Sequence, residues 1–156
     1  MNDEITASAR PWRLADELVL AQVEAQVLGV AREVSVGRYR IERELGQGGM
    51  GRLLLAFDPD LQRRVALKLV APARASSAEA RSRIVAEARA MARLSDPHVA
   101  QVYEVDEVDG QLFVAIEYVD GEDLLAWLRS ARRSWREIVG VFVQAGAGLA
   151  AAHDVG

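Results

Sequence analysis

Four glycines in six positions, Gly46, Gly48, Gly49 and Gly51, stand directly ahead of the apolar run RLLLAF. A backbone stripped of Cβ atoms can either turn tightly or let a phosphate reach its N–H groups. Gly46, Gly48 and Gly51 spell G-x-G-x-x-G, but where that spacing serves a dinucleotide the third glycine opens a helix. Here it opens a strand-like run. The pattern therefore favours a hairpin, either bare or closed over phosphates, and disfavours a dinucleotide-dependent oxidoreductase.

The hydrophobic period divides the rest of the chain. Leu14, Leu18, Val23, Val27 and Val30 recur at mostly helical spacing, so residues 12–32 read as an amphipathic helix docked on its own domain or on a partner. From Val36 the period becomes two: Tyr39, Ile41, Arg43 and Leu45 share a side, and Arg52 to Phe57 forms the strand after the glycines. Asp58 and Pro59 open a turn. In the next strand, residues 64–70, Val65, Leu67 and Leu69 face one way while Ala66, Lys68 and Val70 face the other. Ser76 with Glu79 matches a capping box for a helix over about 77–94. After the SDPH turn come strands over about 99–105 and 112–119, joined through DEVDG. A short helix over 124–130 follows, and Ser134 with Glu137 caps a last helix with Ile138, Val141, Phe142, Ala145, Leu149 and Ala152 on one face.

Composition narrows the function classes. A net charge of −4 with scattered basic residues argues against a general binder of nucleic acid or anionic membranes. The absence of cysteine removes disulfides and thiolate metal sites, and two histidines leave no multi-histidine site. MNDEITASARPW is too polar for a secretory leader, and Arg13, Asp16, Glu17 and Glu24 interrupt the stretch 12–31, so no membrane span is expected. These features predict a cytoplasmic chain.

Lys68 has apolar neighbours on both sides, where an ammonium either snorkels to solvent from an edge strand or meets an anion. Glu87 offers that anion. Ile84 three residues before it and Met91 four after place its carboxylate on the apolar side of the helix, whereas Glu79 points away. A Lys68–Glu87 pair would be structural or would poise the ammonium for phosphate oxygens beneath the glycine hairpin.

Taken together, LGQGGMGRL, VALK, the inward glutamate on the next helix and AIEYVDGEDL resemble the amino-terminal lobe of eukaryotic-type protein kinases, particularly bacterial serine/threonine kinases. The resemblance runs from about Gly37 to the end. It implies an α+β fold: a five-stranded antiparallel sheet with one main helix, a hinge, and the first helices of a truncated carboxy-terminal lobe. The implied division is an amino-terminal helical extension (1–36), the ATP-binding lobe (37–119) and the hinge exit with incomplete second lobe (120–156).

Carried onto this sequence, the resemblance makes Leu45, Gly46, Gln47, Gly48, Gly49, Met50 and Gly51 the lid over ATP. Lys68 would hold the α and β phosphates and Glu87 would orient it. Leu53 and Ala66 would cover the adenine, Ile116 would be the gatekeeper, and the backbones of Glu117 and Val119 would bond the base edge. Asp123 is a further candidate near the ribose or substrate. SDPH departs from the family's His-Pro-Asn.

The kinase catalytic-loop Asp, its Asn and the Asp of D-F-G lie later in that family, so the ligands of Mg²⁺ are expected beyond this sequence. His153 and Asp154 in AAHDVG lack the Arg of H-R-D and read as a helix end. The expected function is thus the ATP-binding portion of a serine/threonine protein kinase, inactive alone and leaving the apolar face of its last helix exposed. The alternative is a non-catalytic interaction module using that face or the amino-terminal helix to bind a protein.

Overall fold

The computed structural model describes Glu17, residues 33–49 and residues 51–155. The helix expected over 12–32 lies outside the described residues, apart from Glu17. Six strands, β1 (Ser35–Val36), β2 (Tyr39–Gly48), β3 (Gly51–Asp58), β4 (Arg63–Val70), β5 (Val102–Val108) and β6 (Gln111–Glu117), form one antiparallel sheet in the order β1-β2-β3-β4-β6-β5. Helix α1 (Ala78–Ala92) lies between β4 and β5 in sequence, and α2 (Leu124–Ser130) and α3 (Trp135–Val155) follow β6.

The sheet therefore has six strands rather than the expected five. The addition is β1, a two-residue strand turned onto β2 at Gly37, which adopts φ +55°. A second correction concerns β2. Ile41 pairs with Ala56 but Arg43 with Leu55, and Glu44 pairs with Leu54 but Gly46 with Leu53, so Glu42 and Leu45 are each an extra residue. Two bulges break the period of two and curl the strand, which moves Arg43 off the face that carries Ile41.

Burial on both faces of β4 explains its nearly unbroken apolar sequence. One face packs Val65, Leu67 and Leu69 with Leu54, Ala56, Phe113, Ala115, Val36 and Tyr39. At the end of β4, Val70 joins Ala75, Leu112 and the α1 residues Ile84 and Val85. Helix α1 starts one residue later than expected: the cap is Ser77, whose Oγ accepts from the Ala80 N–H at 3.2 Å. Arg81 holds the helix in place, donating to the Ala75 carbonyl at 3.0 Å and to Glu107 on β5 at 2.6 Å.

The hairpin between β5 and β6 is tighter than DEVDG suggested. Pairing continues to Val108 opposite Gln111, leaving Asp109 (φ +50°) and Gly110 (φ +78°) as a two-residue turn of the type an Asp-Gly pair favours. Asp123 caps α2 by accepting from the Ala126 N–H at 2.7 Å. The Ser134–Glu137 box forms on α3 in both directions, Ser134 N–H to Glu137 at 2.8 Å and Glu137 N–H to Ser134 Oγ at 3.3 Å.

On α3, Phe142 and Leu149 are more than half exposed, as expected of the unpartnered apolar face. Trp135–Val155 is also long and apolar enough, by length and composition, to cross a membrane. The interrupting charges that spoke against a span over 12–31 are absent here: Arg136 and Glu137 sit at one end, and no charge interrupts residues 138–152. What docks the helix is Gly148, where a Cβ would lie 2.8 Å from the His98 carbonyl oxygen.

Candidate functional site

Cross-strand register assembles the site. Residues directly opposite one another share a sheet face, which produces two rows. Gly46, Leu53, Lys68, Val114 and Val105 form one; Leu55, Ala66, Ile116 and Val102 form the next. The expected residues Gly46, Leu53, Ala66, Lys68 and Ile116 thus lie on the face opposite the Leu54–Leu67–Phe113 core. Lys68 is half-buried, as expected of a cation on a covered central strand.

Beside these rows, between α1 and the sheet, lies a cavity of about 480 Å³, within the range of small-molecule sites. Lys68, Ile116, Val114 and Val70 line it from the sheet, and Ile84, Glu87, Ala88 and Met91 from α1. The helical spacing that placed Glu87 on the Ile84–Met91 side thus brings it into one cavity with Lys68. Glu87 is nevertheless an exposed residue, the buried one being Ala88, so its carboxylate stands in the cavity wall and not in the core. Among the described residues it takes part in no ion pair within 4.0 Å. Arg74, from the turn before α1, also lines the cavity.

The glycines separate into two kinds. Gly51 is demanded by the fold: its φ is +129° and a Cβ would come within 1.8 Å of the Leu69 carbonyl oxygen. Around Gly46, Gly48 and Gly49 there is nothing within 4 Å of such an atom. Among the described residues no contact explains the missing side chains there. Gln47 is exposed on the same hairpin and Leu45 half-buried at its base, while Met50 lies outside the described residues.

Past β6 the strand gives way to an irregular segment. The Glu117 N–H is already bound to the Gln101 carbonyl at 2.8 Å, which leaves only its carbonyl for a ligand. Val119 is 68% exposed. Asp123 is occupied as the α2 cap.

Val114, Val102, Val99 and Ala100 belong to the cavity and were not anticipated. Val114 was within reach, since LFVAIE alternates and puts it on the Ile116 side; Val99 and Ala100 sit in a turn whose position no period reveals. A further signal was available in composition: Lys68 is the sole lysine among nineteen basic residues.

A glycine hairpin beside a strand lysine that shares a cavity with a helix glutamate, followed by an irregular exit from the last strand, is the arrangement of a protein kinase amino-terminal lobe. The chain belongs to the protein kinase domain family, whose family model matches residues 39–156 and so includes α3.

Among curated relatives, the serine/threonine-protein kinase PknE of Mycobacterium tuberculosis is 40% identical over 121 residues, 77% of this chain and 21% of PknE. PknJ of the same organism is 37% identical over 131 residues, 81% of this chain and 22% of PknJ. The crystal structure of the M. tuberculosis PknI kinase domain superposes with a TM-score of 0.68 at 34% identity, covering 81% of this chain and 52% of that one. The chain thus spans about a fifth of its curated relatives and about half of a solved kinase domain.

Proposed function

We propose that residues 39–119 bind the nucleotide of an ATP-dependent serine/threonine protein kinase, taken up with Mg²⁺. The observation that carries this reading is the cross-strand row in which Gly46, Leu53 and Lys68 stand side by side on the face that shares its cavity with Glu87. Each residue then has a task its chemistry suits. The open positions Gly46, Gly48 and Gly49 let backbone N–H groups approach phosphate oxygens closely, which any side chain would hinder. Lys68 supplies a compact positive charge to the α and β phosphates.

Closure of Lys68 on Glu87 belongs to the nucleotide-bound state, in which the carboxylate restrains the ammonium. Leu53, Ala66 and Ile116 form an apolar slot for the base. The Glu117 carbonyl and the Val119 N–H meet the base edge as an acceptor and a donor. Phosphoryl transfer to a protein hydroxyl also requires a positioned Asp and metal ligands, which this family carries after the region corresponding to α3. On that reading the 156-residue chain binds nucleotide and transfers phosphate poorly.

Calorimetric titration of the chain with Mg-ATP, alongside Lys68→Met, tests the assignment. Binding that the substitution weakens by about tenfold or more, roughly 1.4 kcal/mol, with an unchanged melting temperature is the expected result. Equal affinity in both proteins would remove Lys68 from the site. A folded chain that binds no nucleotide would favour the non-catalytic interaction module.

A further inference from the structure

Between α2 and α3 the chain reads RSARRSWRE, which sets Arg129, Arg132, Arg133 and Arg136 within eight positions. The only carboxylate in that stretch, Glu137, is committed to the α3 cap through the Ser134 N–H at 2.8 Å and Oγ at 2.7 Å. Those hydrogen bonds, with a smaller contribution from the Arg133 charge, hold its pKa below the usual glutamate value. Among the described residues, none of the four arginines forms an ion pair within 4.0 Å, whereas Arg38, Arg40, Arg52, Arg64 and Arg81 all do.

Two of the four are held by tryptophans instead. The Arg133 guanidinium lies 4.4 Å from the Trp127 ring centroid, donates to the Trp127 carbonyl at 3.3 Å and to Ser130 Oγ at 3.1 Å. That of Arg136 lies 4.8 Å from the Trp135 ring. Stacking on an indole fixes a guanidinium in place without neutralising its charge. Trp135 is 66% exposed and Leu125 on α2 55%. The result is an ordered surface of cations and exposed apolar groups.

We propose that this surface docks a carboxylate-rich segment of a protein partner. Arginine and tryptophan with a ready-made geometry are the residues that most often anchor protein interfaces, and four guanidiniums facing a single carboxylate select acidic side chains by charge complementarity. A broad anionic surface such as a membrane fits less well. Residues 129–137 carry +3 in a chain whose net charge is −4, so a plane lying against the lobe also meets the negative remainder. A short peptide interacts chiefly with charges within a Debye length, about 8 Å at physiological salt. The docking surface is distinct from the nucleotide cavity and its occupation does not depend on Lys68.

Fluorescence anisotropy with a short labelled peptide of alternating Glu and Ser, titrated with the full chain, tests this. Binding is expected to fall about tenfold or more in the Arg132→Glu, Arg136→Glu double variant, to weaken with added salt, and to persist in Lys68→Met. Neither Arg132 nor Arg136 makes a side-chain hydrogen bond among the described residues, so the fold should tolerate the change. The Arg132→Gln, Arg136→Gln pair serves as a second variant if it does not. No binding of the acidic peptide, equal binding of a Lys-Ser peptide, or binding indifferent to both variant pairs overturns the proposal. So does capture of the chain by phosphatidylserine vesicles while the peptide fails to bind.

Discussion

Gly51 and Lys68 show two different ways in which one residue can matter. Gly51 is fixed by sterics, because both its φ of +129° and the Leu69 carbonyl exclude a Cβ. Gly51→Ala should cost about 2–3 kcal/mol, read as a lowered urea midpoint, whereas Gly48→Ala, with open space around it, should leave the midpoint nearly unchanged. Equal losses at both positions would refute the distinction.

Tyr39 offers a test by pH. Its ring is 1% exposed and packs edge-on to Phe113 at 5.8 Å, while its hydroxyl donates to Glu104 and accepts from Arg38 at 2.6 Å. Burial above all, then the Glu104 hydrogen bond and charge, pushes its pKa well above the ordinary tyrosine value. Between the unfolded and folded pKa the native state holds the extra proton, so stability falls as pH rises. The contribution is complete below about pH 10 and is lost above it. The urea midpoint should therefore drop on the alkaline side, and Tyr39→Phe should flatten that drop; an identical alkaline slope in the variant would show that Tyr39 is not its source.

At the scale of elements, periodicity was a good guide wherever the backbone stayed regular. The alternation of β4 placed Val65, Leu67 and Leu69 in the core and Lys68 on the opposite face, as found. Helical spacing brought Glu87 into the cavity with Lys68. It misjudged β2, because the bulges at Glu42 and Leu45 are set by the pairing with β3 and leave no local signal. The strand expected over 99–105 lies at Val102–Val108 because Val99 and Gln101 are drawn into the turn contacting α3 and the Glu117 N–H.

The same turn supplies a prediction for α3. A Cβ on Gly148 would meet the His98 carbonyl oxygen at 2.8 Å and the Val99 side chain at 3.1 Å, and the carbonyl cannot retreat without moving the turn. Gly148→Val should therefore loosen α3 from the turn at His98. Amide exchange in α3 should accelerate while exchange in β4 stays slow; unchanged protection of α3 would count against this contact as its anchor.

At the scale of the whole molecule, apolar burial among the described residues is unevenly shared. The sheet holds nearly all the buried side chains, with Leu54, Val65, Leu67 and Ala115 fully enclosed, whereas α2 has no buried residue and α3 has only Gly148. Val139, Phe142, Val143 and Leu149 are each at least half exposed along α3. Helices with so little buried apolar surface have little tertiary packing to supply their stability, so they should open locally well below the free energy of global unfolding. The chain should accordingly unfold in more than one step. Hydrogen exchange should show α2 and α3 exchanging first and β3, β4 and β6 last, and a dye that binds exposed apolar surface should respond before denaturant is added. Replacing Phe142 and Val143 with Ser should reduce that dye signal without lowering the sheet's own midpoint. A single cooperative transition with uniform protection would mean that α3 gains a cover in solution, which size-exclusion chromatography across protein concentrations would reveal as self-association.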